Sequence, residues 1–174
     1  MNLITSNLIT SNLITLPVLV PLLAGAVLLL LPTPRSRSLA ALLAALLTLL
    51  VSGIIAARAL GGAVMAVQMG GWPAPYGITL VADGLTGVML LLAGITGLLT
   101  TLFAGSSLRL APQAGLSPAL NRARERFGAH ALLQFLYLGV NMSFLTGDLF
   151  SLFVAFEVML IASYGLLLSG GELP

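Results

Sequence analysis

Residues 129–168 read AHALLQFLYLGVNMSFLTGDLFSLFVAFEVMLIASYGLLL. Two apolar runs, 129–145 and 149–168, flank the break Thr146-Gly147-Asp148. A roughly 30 Å hydrocarbon core needs about 20 residues at 1.5 Å each, and both runs approach that length. The short break forces the arms antiparallel, as a helical hairpin. Outward from this hairpin, three more runs of the same kind occur at about 13–31, 39–57 and 84–104.

Composition agrees with five spans. Of 174 residues, 59% are hydrophobic and 7% charged, against about 25% charged in a soluble domain, so the chain cannot cover a water-facing surface. Mean hydropathy is +1.11. The fold expected is an all-α integral membrane protein, one membrane unit over 1–174 with no room for a separate soluble domain. There are no lysines and no cysteines, which excludes disulfides, thiolate zinc sites and cysteine nucleophiles. The seven arginines give a net charge of +2 but do not interleave with aromatics, so nucleic acid is not the expected partner.

Span ends carry local signals. Pro17 reads as first-turn proline of span one, while Pro32 and Pro34 stop that span. Ser38, Asp83, and the pair Thr146 and Asp148 are the expected N-caps of spans two, three and five. Arg35 and Arg37 follow span one; Arg109, Arg122, Arg124 and Arg126 follow span three. Both loops share one side if spans alternate, which makes that side cytoplasmic and the N-terminus outside, with Arg58 the exception. A cleaved signal peptide is not expected, because no basic region precedes the first span.

Between spans two and three, the runs 64–69 and 76–81 around Gly70-Gly71-Trp72-Pro73 read as a small outer β-hairpin, with Trp72 and Tyr76 at headgroup level. Residues 117–127 suggest a short basic helix on the inner surface. Asn-Leu-Ile-Thr recurs at Asn2, Asn7 and Asn12. This is read as a local duplication that lengthens span one outward, with an extra strand or interfacial segment as the alternative.

Glu157 is the ionisable residue deepest inside a span, nine residues beyond Asp148 and so about 13 Å along the helix. An acid there costs about 2.5–3.5 kcal/mol on translocon scales, which calls for an offsetting contact or a task. It either packs as a protonated acid against a neighbour or serves an ion or proton pathway, and the second is favoured because burial favours the neutral form and allows proton loading. Tyr137 lies at the same count from the turn and is the plausible hydrogen-bond partner; Tyr164 follows two turns on along the same face. Both are also readable as packing tyrosines. Asn141 reads as interhelical glue. His130 at the inner end is read first as a solvated histidine and second as a proton entry, and Asp148 first as a cap and second as an entry group. Gly84, Gly87, Gly94 and Gly97 allow close helix approach in span three. No phosphate loop, metal motif or serine–histidine pair is present, so no enzyme chemistry, cofactor or metal is expected.

Residues 134–168 resemble the fourth and fifth helices of the D subunit of Mrp-type multisubunit sodium/proton antiporters. Gly-Gly-Trp-Pro-Ala-Pro-Tyr-Gly-Ile at 70–78 and Val-Ala-Asp-Gly-Leu at 81–85 resemble the same subunit's outer hairpin and third helix, and the likeness covers about 16–171. The resemblance implies a multi-pass cell-membrane protein with partner membrane subunits, moving protons and sodium ions, and it places Glu157 in proton translocation. The related antiporter-like subunits of respiratory complex I and of membrane-bound hydrogenases are the alternative; a transport-silent scaffold is a third reading. The family's glutamate works with a lysine on a later helix. This chain, lacking lysine, is expected to be the N-terminal part of such a subunit and not to exchange ions alone.

Overall fold

The computed structural model describes residues 3–72, 76–110 and 128–170. Among them are five helices, α1 (Leu3–Leu30), α2 (Pro34–Leu60), α3 (Gly84–Leu110), α4 (Ala129–Leu145) and α5 (Leu149–Gly170), with two strands, β1 (Met65–Gln68) and β2 (Thr79–Ala82). Four helices are long and apolar enough to cross a membrane: Leu13–Leu30, Pro34–Leu60, Gly84–Gly105 and Leu149–Leu168. At 17 residues α4 is the short one. It is also the hub, packing against every other helix and against β2, whereas α5 packs on α4. The expected basic helix at 117–127 lies outside the described residues.

Helix α1 begins earlier than expected. The Asn-Leu-Ile-Thr segment from Leu3 onward is helical and continuous with the span, which is the lengthening read from the repeat. Pro17 is therefore interior to α1, as is Pro21, and not a first-turn residue. The expected Ser38 cap is likewise corrected. Thr33 caps α2, accepting from Ser36 N at 3.2 Å, with Pro34 at the first helical position. Proline's fixed φ starts the helix there, so Ser38 falls in its second turn. Arg37 Nε donates to the Leu31 carbonyl at 2.7 Å and closes the connection. Asp83 does cap α3, its Oδ1 accepting from Thr86 N at 2.8 Å.

The outer hairpin forms as expected, antiparallel with Met65 opposite Ala82 and Gln68 opposite Thr79. Its two-residue alternation puts Met65, Leu80 and Ala82 down onto Ile14, Val51, Ile55, Leu90 and Leu145 at the outer end of the bundle. Trp72 and Tyr76 stay exposed. The hairpin also clamps the α4–α5 turn: Leu80 bridges Thr146, and Gly147 N donates to the Thr79 carbonyl at 2.8 Å. A Cβ on Gly147 would stand 2.9 Å from Val81 Cγ2, so any side chain there would push Val81 aside.

Small residues set the helix spacing. Gly87 lies against Ala56 and Ala59 of α2, Gly94 against Leu49, and Gly97 against Tyr137 of α4; Gly84 sits more loosely. Between α4 and α5 the close approach is at Gly139, where a Cβ would meet the Ala155 carbonyl oxygen at 2.9 Å and Met159 at 2.5 Å. Backbone cannot yield as a side-chain tip can. Gly139→Val should therefore destabilise the α4–α5 pair by about 1–3 kcal/mol, read as a lower thermal midpoint of the detergent-purified chain; an unchanged midpoint would refute this packing.

Candidate functional site

Two sets of polar side chains stand within the membrane layer, and they face opposite ways. On α4, His130, Gln134, Tyr137 and Asn141 follow one another at steps of four, three and four residues, which places them on one helical face. That face turns inward. Gln134 and Asn141 are each only 1% exposed and His130 is 7% exposed.

Each amide answers a backbone carbonyl. Pro21 has no N–H, so the Pro17 carbonyl lacks its helical donor, and Asn141 Nδ2 supplies one at 2.8 Å. This bears out the reading of Asn141 as interhelical glue and names its target. Gln134 Nε2 donates to the Ala41 carbonyl of α2 at 3.2 Å. Tyr137 leans on Gly97 of α3, its hydroxyl beside Thr100. These side chains, with Thr48, Gly94 and Gly97, line a small cavity of about 10 Å³.

Glu157 is on the other side. Its nearest turns, Ala155 and Met159, are the residues that meet Gly139 of α4. A residue two positions from each lies on the far side of a helix, and Glu157 is accordingly exposed, eight residues and about 12 Å from the start of α5. It makes no hydrogen bond or ion pair among the described residues. Phe153, Leu160, Ile161 and Tyr164 are exposed beside it. So the structure brings Tyr164 onto Glu157's face but not Tyr137. The expected Tyr137–Glu157 pair does not form, because equal depth says nothing about which way each helix turns its side chains.

The helix ends differ from each other. His130 is not solvated as expected: it is buried in the first turn of α4 near Arg37 of α2, and its Nδ1 has no hydrogen-bond partner. Asp148 caps α5, its Oδ1 accepting from Ser151 N at 2.7 Å, while Thr146 bonds the Asp148 backbone instead of capping. Asp148 Oδ2 is buried and unpartnered. The Ser151 N–H holds this carboxyl below its ordinary range, with burial opposing. Sequence reasoning passed over Gln134 and Thr48, although the four-three-four spacing of polar residues on an otherwise apolar helix was there to be read.

A layer of apolar helices, with buried amides that satisfy helix backbone, defines a multi-pass membrane protein. Known proteins narrow this. The chain is 38% identical over 157 residues to the D subunit of the Na(+)/H(+) antiporter of Alkalihalophilus pseudofirmus, 90% of this chain and 29% of that one. It is 42% identical over 163 residues to the D subunit of a probable K(+)/H(+) antiporter of Rhizobium meliloti, and 34% identical over 160 to the N subunit of an NADH-quinone oxidoreductase of Desulforudis audaxviator. Its fold matches a chain of the Mrp complex from a Dietzia species with a TM-score of 0.68 at 24% identity, over 90% of this chain and 27% of that one. No protein-family model matches. The chain is thus a homologue of antiporter D subunits, and it spans less than a third of the length of the relatives it matches.

Asn141→Leu leaves the Pro17 carbonyl without a donor in a dry interior, so it should cost about 1–3 kcal/mol of stability; retention of the full thermal midpoint would refute the pairing. For Asp148 the folded carboxyl is held low, so its contribution is complete above the ordinary carboxylate range and is lost as pH falls through it. Asp148→Asn, which still caps, should keep neutral-pH stability and weaken the acid sensitivity. Asp148→Ala should lose about 1 kcal/mol at neutral pH, both read from thermal midpoints across pH.

Proposed function

We propose that the chain works as part of a D-type subunit of a multisubunit monovalent cation/proton antiporter in the cell membrane, with Glu157 as a proton-exchanging group and sodium as the counter-transported ion. One observation carries this reading: an unpaired acid halfway along a membrane helix, on a face no other described element covers. Left against lipid it would cost about 2.5–3.5 kcal/mol. Further protein of the assembly therefore covers that face, and the carboxyl meets groups there that change its protonation as ions move.

Tyr164, two turns further along, extends the polar line on the same face. Asp148, with one oxygen committed to the cap and the other unpartnered, stands at the outer end of the same helix as an entry group. The partners are other membrane subunits of the complex, and the transported species are protons and sodium ions. The relatives named as antiporter D subunits support this, as does the chain's greater identity to them than to the N-subunit relative.

The similarity to that N subunit favours one second reading, a proton-pumping subunit of a redox-driven complex. Co-purification of flavin or iron–sulfur subunits with the chain would select it. In vesicles bearing the assembled complex, Glu157→Gln is expected to abolish sodium-dependent collapse of a pH gradient while the subunits still co-purify. Full exchange by Glu157→Gln would overturn the assignment.

A further inference from the structure

We draw no further inference here: the strongest candidate, the side-chain cluster at the inner end of α4 where buried His130 holds an unpartnered Nδ1 near Arg37 of α2, rests on the titration of one imidazole within a membrane span, and nothing among the described residues shows what else faces it from the inner surface.

Discussion

Hydrocarbon offers no water to a broken hydrogen-bond ladder, so every backbone group in this layer must find its partner inside the protein. Helix α1 breaks the ladder at Pro21, and Asn141 of α4 repairs it through the Pro17 carbonyl. That one bond joins two helices far apart in sequence and fixes both the height and the rotation of α4 against α1. The rest of α4's inward face follows: with Asn141 turned in, Gln134, Tyr137 and His130 turn in with it.

The same rotation decides what α5 can do. Gly139 on the opposite side of α4 receives Ala155 and Met159 so closely that a side chain would not fit. Glu157, between them in sequence, is thereby carried to the outside of the bundle. The outer β-hairpin holds the arrangement from above, pairing Leu80 with Thr146 and seating Gly147 beneath β2. One helix thus keeps its amides interior and bonded to neighbouring backbone, and the next presents an acid on a face that no other described element covers.

Much of this was legible in the chain. Hydropathy and length gave five helices, the three-residue break gave the hairpin, and Asp83 and Asp148 announced their caps through side chains that accept from helix N–H groups. What stayed hidden was rotational. Counting residues from the turn set Tyr137 and Glu157 at one depth, yet it could not tell that a glycine contact turns them apart. Ser38 looked like a cap until the Pro32-Thr33-Pro34 run started α2 sooner. His130 read as solvated because a helix end in sequence gives no sign of Arg37 and its neighbours closing over it. The family resemblance implied a role for Glu157, and geometry supplied the direction in which it faces.

The central claim is that this acid, unpaired within its own helices, takes up and gives off a proton during work. Infrared difference spectroscopy of the assembled complex in membranes, with and without an imposed sodium gradient, tests it most directly. The account predicts a protonated-carboxyl band that changes with the gradient and is missing when Glu157 is replaced by glutamine. A carboxyl spectrum that does not respond to the gradient, or a response that survives that replacement, would contradict it.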